Sequence, residues 1–408
     1  MFAIERDPNA FQTLHDNLVA ANADRRFAWP SWLPKSAHSA VDVLEKYKHE
    51  LSALANTVDM IVGGPPCQGF SSAGRRDPND PRNRLVESYL EFVNLIKPKI
   101  VLIENVKGIT QDFDASETSE GKINYSKWII ESLSKNYVVS TQMIDTSDFG
   151  VPQKRHRFII IGIRMDVSIR LNESPFDVIE RGKFAFLGKK GIASIPVASR
   201  SALSDLEIAR NGRQQSCDNA AFEEIAYIGP LTSYQRLMHG ELGATITDTR
   251  LARHKPDIVA RFEKIIAICH ADGRLNVSLS AELKASFGLR KCAIRVLDPD
   301  KPSPTITSMP DDLIHYKEPR ALTVRENARL QSFPDWFAFK GKYTTGGERR
   351  KKEVPRFTQV ANAVPPLVAE AIGLAIFEML NTTLRIASKP STLVQVSQKS
   401  PDTLEVPA

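Results

Sequence analysis

The sequence predicts an α/β protein with a doubly wound, mostly parallel sheet and a second, smaller and irregular domain. From the start to about Ile163, short apolar runs alternate with amphipathic stretches, which is the pattern of parallel strands covered by helices. Beyond Arg164 this pattern weakens, and no sustained period continues from there to about Asp300.

Size and composition indicate an ordinary globular protein. The chain has 408 residues, of which 42% are hydrophobic and 25% are charged. It can therefore form two or three domains, and it is neither a fibre nor a wholly disordered chain. A formal net charge of +6 permits a polyanionic partner without requiring one.

The four cysteines, at positions 67, 217, 269 and 292, are far apart and form no C-x-x-C pair. This spacing indicates neither a zinc ribbon nor a secreted disulfide framework, so we predict no metal site and a reducing compartment. No run approaches the roughly 18 apolar residues of a membrane span, and the first residues lack the order of a signal peptide. We expect a soluble, cytoplasmic protein without a membrane partner.

Three strands are predicted in the first part of the chain, at residues 59–63, 100–104 and 157–162. Each is a short run rich in β-branched residues and bounded by Gly, Pro or charge, which is typical of strands buried on both faces. Residues 85–96 have helical spacing, so the first two strands should belong to a right-handed βαβ unit.

The α/β pattern returns near the end of the chain. Residues 323–330 and 366–380 have helical spacing, and the residues after 387 are rich in Ser, Pro, Thr and Gln and are expected to be disordered. We therefore predict a first domain over 1–164 and 301–386, an irregular domain over 165–300, and a tail over 387–408.

Cys67 follows the first predicted strand. The strand runs into Gly63 and Gly64, which allow close approach of the backbone to a ligand, and then into Pro65 and Pro66, which stiffen the turn. Ligands of open α/β sheets bind at the carboxyl ends of the strands, so this position suits a nucleophile. A buried, inert thiol is the alternative.

The next strand ends in Glu104, which should place a carboxyl group beside the thiol. Flanked by Ile103 and Val106, it would be desolvated enough to hold a proton and act as a general acid. A glutamate in a surface salt bridge is the alternative.

The third strand carries Arg155 and Arg157, which alternate with His156 and should project from one face. Two guanidinium groups beside a thiol suit an anionic or acceptor-rich substrate such as a nucleotide, and a solvated basic strand end is the alternative.

Five blocks carry a family resemblance. They are G-G-P-P-C-Q-G-F-S at 63–71, E-N-V at 104–106, Q-x-R-x-R at 153–157, R-x-L-T-x-R-E-x-A-R-L-Q-S-F-P-D at 320–335 and Q-V-A-N-A-V-P-P at 359–366. In this order they resemble the bacterial C5-cytosine DNA methyltransferases. The resemblance implies a Rossmann-like sheet of the S-adenosylmethionine-dependent methyltransferase type.

The resemblance also implies a reaction. Cys67 would add to C6 of a cytosine flipped out of the duplex, Glu104 would protonate or hydrogen-bond N3, and C5 would take a methyl group from S-adenosylmethionine. Arg155 is implied as a ligand of the cytosine carbonyl or its phosphate, with Arg157 as a further catalytic residue.

Contacts with DNA are implied for Gln68, Ser71 and Gln153, and Thr305 should support the flipped base at the domain junction. Ser71 and the polar run 72–83 resemble the mobile loop that closes over DNA.

Cofactor contacts are implied for four residues. Glu5 ends a predicted strand at 2–5 and would bind the ribose hydroxyls, while Asp42 is a candidate for the adenine contact, with a helix N-cap as the alternative. Pro66 and Asn362 would line the methionine end of S-adenosylmethionine.

The implied partner is double-stranded DNA, bound by a monomer. Residues 165–300 fall where the family carries its variable target-recognition domain, which leaves 1–164 and 301–386 as the catalytic domain. A cognate restriction endonuclease accompanies many such enzymes, but nothing in this sequence identifies one.

The chain departs from the family before Glu5, where a Phe-x-Gly-x-Gly turn is expected and only four residues stand. We therefore expect the first strand and helix to be missing, with weakened stability and cofactor binding. Ala361 also replaces the usual glycine, and residues 341–356 look like a basic insertion. A catalytically dead DNA-binding remnant is the alternative function, and methylation of RNA is disfavoured by the long recognition segment.

Overall fold

The computed structural model describes residues 1–20, 27–65, 84–111, 113–114, 122–168, 173–193, 195–241, 246–289, 293–344 and 353–387. The predicted mobile loop and the predicted tail from residue 388 lie outside these ranges, and so do Pro66, Cys67, Gln68 and Ser71.

Helices and short strands alternate along the described chain. The helices are α1 (Pro8–Leu14), α2 (Ala40–Lys46), α3 (Lys48–Ala53), α4 (Arg84–Ile96), α5 (Tyr125–Ser134), α6 (Met165–Ser168), α7 (Pro175–Lys189), α8 (Ser199–Leu203), α9 (Ile208–Asn211), α10 (Ser233–His239), α11 (Pro256–Ala271), α12 (Ala281–Ser286), α13 (Val324–Leu330), α14 (Arg356–Asn362) and α15 (Pro366–Ala387). A π-helical turn covers His15–Val19, and 3-10 turns cover Lys107–Thr110, Thr146–Phe149, Ser204–Leu206 and Pro310–Asp312.

The strands are β1 (Met60–Gly63), β2 (Ile100–Asn105), β3 (Phe113–Asp114), β4 (Lys122–Ile123), β5 (Tyr137–Asp145), β6 (Gln153–Lys154), β7 (His156–Arg164), β8 (Arg213–Gln215), β9 (Glu223–Ile225), β10 (Arg295–Val296), β11 (Ser303–Pro304) and β12 (Leu313–Ile314). The three predicted strands and the three predicted helices are thus present, with ends shifted by a few residues.

The main sheet has the order β1-β2-β7-β5. β1 and β2 are parallel, whereas β7 is antiparallel to both β2 and β5. The prediction of a mostly parallel sheet is therefore wrong for the described strands. β5 and β7 are joined by residues 146–155 alone, which is shorter than the dozen or more residues that a parallel crossover needs.

The sheet is buried on both faces, which explains its continuous apolar runs. Side chains of β2 alternate between two hydrophobic clusters: Ile100 and Leu102 lie in one, and Val101 and Ile103 lie in the other. Helices α4 and α5 contribute to the second cluster, and α7, α8, α13, α14 and α15 contribute to the first. Helices thus cover both faces, as predicted.

The irregular region predicted at 165–300 does not pack as one unit. Side chains of α7, α8 and α10, such as Phe176, Leu203 and Met238, belong to the same cluster as the sheet and α15. A separate small cluster joins α11 and α12 to β10 and β12, with Phe262 and Ile265 at its centre. The hydrophobic core therefore continues across residue 165. Two smaller clusters follow it, one that contains Leu206, Ile225 and Leu251 and one that contains α11 and α12.

The strand predicted at residues 2–5 is wrong, because no neighbouring strand in the described chain pairs with it. Its backbone bonds go instead to single loop residues: the Met1 amino group donates to Ala28 O, and Glu5 O accepts from the His38 N–H at 2.8 Å. Phe2 and Ile4 nevertheless pack in the same hydrophobic cluster as Ile61 of β1.

One helical stretch of the described chain, Arg356–Asn381, is long and apolar enough to cross a membrane. Half of its most apolar window is buried within the fold, which is also the property of a core helix. Leu367, Ile372 and Ile376 belong to the main hydrophobic cluster.

A buried ion network joins α13 to the region before it. The guanidinium of Arg329 contacts Asp335 Oδ2 at 2.6 Å and Asp205 Oδ2 at 3.1 Å, and Arg325 contacts Asp248 Oδ2 at 3.5 Å. All of these side chains are inaccessible to solvent. The network fixes the segment around Asp205 to the segment that follows α13.

We predict that Arg329→Met destabilises the protein by about 3–5 kcal/mol, because it leaves the Asp205 and Asp335 carboxylates buried without their counter-charge. Urea unfolding monitored by circular dichroism measures the loss. The matched control is Arg213→Met, because Arg213 forms an exposed ion pair with Glu223 and its removal should leave the unfolding midpoint unchanged. Equal midpoints for the two variants would contradict the prediction.

Candidate functional site

The parallel pairing of β1 and β2 brings the ends of the two strands together. Gly63 is the register partner of Ile103, so the residues that follow each strand leave the sheet at the same edge. From β1 the chain continues through Gly64 and Pro65 towards Cys67, and Glu104 is the next-to-last residue of β2.

Gly64 lies directly against the carboxylate of Glu104. A Cβ at position 64 would stand 3.1 Å from Glu104 Oε2, which is tighter than ordinary van der Waals contact. A Cβ on Gly63 would collide with the ring of Tyr89. Internal packing therefore explains both glycines, which were predicted to allow the approach of a ligand.

Asn105 holds the turn after β1 in place. Its Nδ2 donates to Pro65 O at 3.1 Å, and its Oδ1 accepts from the Val106 N–H at 2.9 Å. The side chain is almost fully buried. Asn105 belongs to the E-N-V block, from which no role was predicted for it; its position as a polar residue directly after the Glu104 carboxylate was the available signal.

The Glu104 carboxylate forms an ion pair with Arg157. Arg157 Nε lies 2.6 Å from Glu104 Oε1, and both side chains are only about one-tenth exposed, at 10% and 12%. Glu104 is therefore not in the purely apolar surroundings expected from Ile103 and Val106. The arginine orients the carboxylate towards the edge where Gly64 lies.

Arg155 is buried with few protein partners. Its Nη2 donates to Ala361 O at 2.8 Å, and its Nε has no hydrogen-bond partner within the described residues. The pKa of Arg155 is lowered to about 9, first by burial and then by the charge of Arg157, while Glu104 opposes the shift. Among the described residues its hydrogen-bond acceptor is Ala361 O, which leaves N–H donors for an acceptor-rich ligand.

Thr305 and Asn362 lie next to Arg155 along neighbouring segments. Thr305 Oγ1 donates to Lys154 O at 3.0 Å, one residue before Arg155, and the threonine is exposed. Asn362 is exposed and follows Ala361, the residue that accepts from Arg155. The structure therefore brings Glu104, Arg155, Arg157, Thr305 and Asn362 to one region.

Gln153 does not fit its predicted contact with DNA. It is fully buried, its Nε2 donates to Leu330 O and Gln331 Oε1, and its Oε1 accepts from the Ile306 N–H. The sequence could not indicate this burial, because it depends on the long-range pairing of β6 with β11.

Glu5 and Asp42 belong to neighbouring segments, because Glu5 O accepts from the N–H of His38, which directly precedes Ser39 at the start of α2. Glu5 Oε1 accepts from the Asp7 N–H at 2.7 Å, and burial raises the pKa of the Glu5 carboxyl although backbone hydrogen bonds oppose the shift. Asp42 lies in the first turn of α2, where Ser39 is the N-cap. The alternative of Asp42 as N-cap is therefore wrong.

Comparison with known proteins identifies relatives along almost the whole chain. A family model for C-5 cytosine-specific DNA methylase matches residues 1–378. The Type II methyltransferase M.DdeI of Desulfomicrobium norvegicum is 33% identical over 352 residues, which cover 81% of this chain and 76% of the relative. The Type II methyltransferase M.XorII of Xanthomonas oryzae pv. oryzae is 30% identical over 390 residues, with 90% and 79% covered.

Among solved structures, a prophage-encoded protein of Escherichia coli, described as a DNA modification methyltransferase, has a TM-score of 0.57 with 24% identity. The match covers 93% of this chain and 92% of the other. This likeness supports the mixed α/β fold.

We predict that Asn105→Ala lowers the free energy of unfolding by about 1–3 kcal/mol, because the buried Pro65 carbonyl and the Val106 N–H lose their partners. Asn94→Ala is the matched control, since Asn94 is exposed on α4 and alanine favours the helix. Chemical unfolding of both variants tests this, and an Asn105→Ala protein as stable as the control would refute the assigned role.

Proposed function

Since the chain belongs to the C-5 cytosine-specific DNA methylase family, we propose that it transfers the methyl group through a covalent adduct between Cys67 and an extruded cytosine. The protein is a DNA (cytosine-5)-methyltransferase, and S-adenosylmethionine is its methyl donor. The observation that carries the proposal is the contact between Gly64, three residues before Cys67, and the carboxylate of Glu104.

The proposed reaction begins with extrusion of the base, because a thiolate cannot reach C6 within a stacked duplex; extrusion costs a few kcal/mol. The Cys67 thiolate then forms a bond to C6 while Glu104 donates a hydrogen bond or proton to N3, so that electron density builds up at C5. S-adenosylmethionine supplies the methyl group that C5 takes. Water takes the C5 proton, the electron pair of the C5–H bond expels the Cys67 thiolate from C6, and N3 returns its proton to Glu104, which restores the aromatic ring.

Arg157 and Arg155 have different proposed roles. Arg157 orients Glu104 through the 2.6 Å ion pair, so it acts on the base through that carboxylate. Arg155, whose acceptor within the described part of the chain is Ala361 O, is the proposed ligand of the cytosine carbonyl or its phosphate. Such a ligand would stabilise a buried guanidinium whose described acceptor is a single carbonyl oxygen, because an unpaired buried charge is costly.

The proposed cofactor contacts are Glu5, Asp42, Pro66 and Asn362. Glu5 offers a partly desolvated carboxylate with spare acceptor positions, which suits ribose hydroxyl groups. Asp42 is the proposed adenine contact, and Pro66 and Asn362 line the methionine end. The donor set of the described residues thus fits S-adenosylmethionine.

Recognition of the target sequence is proposed for a smaller segment than residues 165–300. Residues 256–314 have their own hydrophobic cluster, and between 255 and 296 the chain carries eight Lys or Arg against four Asp or Glu. The segment leads through β11, which pairs with β6, to Thr305 beside Lys154. We propose that it reads double-stranded DNA while Thr305 supports the flipped base, and that Gln68 and Ser71 add contacts.

Other proposed properties concern the cellular setting. The relatives are named Type II methyltransferases, so we propose that the protein acts in a restriction-modification system beside a cognate endonuclease. We further propose that it works as a cytoplasmic monomer on nucleoid DNA.

We predict that the protein forms a denaturation-resistant adduct with duplex DNA in which 5-fluorocytosine replaces cytosine throughout, because fluorine at C5 blocks the final elimination. Because every cytosine of a long duplex is replaced, the target cytosine carries fluorine whichever sequence the protein recognises. Denaturing electrophoresis and mass spectrometry of the linked peptide detect the adduct, which should be absent for Cys67→Ala and unchanged for Cys217→Ala, since Cys217 is exposed and distant in sequence. An undiminished adduct of Cys67→Ala would refute the proposal.

We predict that exchanging residues 256–314 for the equivalent segment of a relative transfers that relative's sequence preference. Exchanging the exposed hairpin of β8 and β9 at 213–225 is the control and should leave the preference unchanged. Bisulfite sequencing of randomised DNA measures the methylated sites. A preference that moves with the hairpin instead of the 256–314 segment would contradict this assignment.

A further inference from the structure

Two buried glutamines lie behind the proposed ligand of the cytosine. Gln153 stands two residues before Arg155, and Gln331 is the C-cap residue of α13; neither side chain is accessible to solvent. Gln153 Nε2 donates to Gln331 Oε1 at 2.9 Å, so the two amides are in direct contact although they are 178 residues apart in the chain.

The side chain of Gln331 hydrogen-bonds the backbone segment that contains the acceptor for Arg155. Its Nε2 donates to Val360 O at 3.0 Å and to Ala363 O at 3.1 Å. Between these two carbonyls stands Ala361, whose oxygen accepts from Arg155 Nη2 at 2.8 Å. Gln331 therefore fixes the backbone on both sides of the acceptor for Arg155.

The side chain of Gln153 hydrogen-bonds a stretch near the end of the proposed recognition segment, residues 256–314. Its Oε1 accepts from the Ile306 N–H at 3.1 Å, and its second Nε2 proton is donated to Leu330 O at 3.2 Å. Ile306 follows Thr305. The glutamine pair thus joins β6, the segment after β11, the end of α13 and the end of α14.

The hydrogen-bond pattern allows only one orientation of each amide. Each Nε2 donates two hydrogen bonds to oxygen acceptors, and each Oε1 accepts from an N–H. Rotating either amide by 180° would bring N–H groups against N–H groups or oxygens against oxygens at a site without water access, which is costly. The arrangement is therefore rigid.

We propose that Gln153 and Gln331 are positioning residues for methyl transfer: they fix Ala361 O and thereby the guanidinium of Arg155, and they keep Thr305 and Asn362 in register with it. The inference rests on the proposed role of Arg155 in contacting the substrate. It assigns these glutamines neither a DNA contact nor a cofactor contact, because both are fully buried.

The test compares Gln331→Met with Gln235→Met, a control that removes another fully buried glutamine. Gln235 forms the capping box of α10 and donates to Ser204, so it has no connection with Arg155 in the described structure. We expect both variants to lose stability, but only Gln331→Met should lower kcat, by about tenfold or more, while KM for DNA and for S-adenosylmethionine changes less than about threefold.

A double-mutant cycle completes the test. It adds Arg155→Met and the double variant that combines Arg155→Met with Gln331→Met. If Gln331 acts through Arg155, the double variant should be about as slow as Arg155→Met alone. The inference would be overturned if the two substitutions lowered kcat by factors that multiply in the double variant. It would also be overturned if Gln331→Met folded and kept its kcat while Arg155→Met was slow. Unchanged kcat of Arg155→Met would instead overturn the proposed role of Arg155. Gln153→Met, which breaks the glutamine pair from its other member, is measured in parallel and replaces Gln331→Met if that variant does not fold.

Discussion

The parallel pairing of β1 with β2 is the constraint on which the site depends. Because Gly63 is in register with Ile103, the turn towards Cys67 and the carboxylate of Glu104 leave the sheet at the same edge. Gly64 and Asn105 then fix the remaining freedom: the first lets the Glu104 carboxylate approach the backbone, and the second binds the Pro65 carbonyl. A shift of one residue in this register would turn Glu104 to the opposite face of the sheet.

The buried charges of the protein are paired unevenly. Glu104 and Arg157 neutralise one another, and Arg329 is fully balanced by Asp205 and Asp335. Arg155 differs, because its described partner is a single carbonyl oxygen. The uneven pairing at Arg155 is what the proposed role as a substrate ligand requires, because a bound ligand would complete its hydrogen bonds, whereas the paired charges at Arg329 stabilise the fold.

The sequence predicted what depends on local pattern. The strands at 59–63, 100–104 and 157–162 are found because they are continuous apolar runs, whereas β5 was missed because polar Ser140, Thr141 and Gln142 interrupt it. The antiparallel direction of β7, the burial of Gln153 and the unpaired backbone at 2–5 depend on which distant segments meet. Gln331 was visible only as part of a motif, since its contacts with residues 360 and 363 follow from the packing of α13 against α14.

The central claim is that Cys67 and Glu104 act on the same cytosine from the ends of neighbouring parallel strands. A crystal structure of the protein trapped on 5-fluorocytosine DNA with S-adenosylmethionine tests it most directly. The account predicts a bond between Cys67 Sγ and C6, with the Glu104 carboxylate about 3 Å from N3 and still paired with Arg157. A base bound with Glu104 beyond hydrogen-bond distance of N3, or a bond to C6 from another residue, would contradict it.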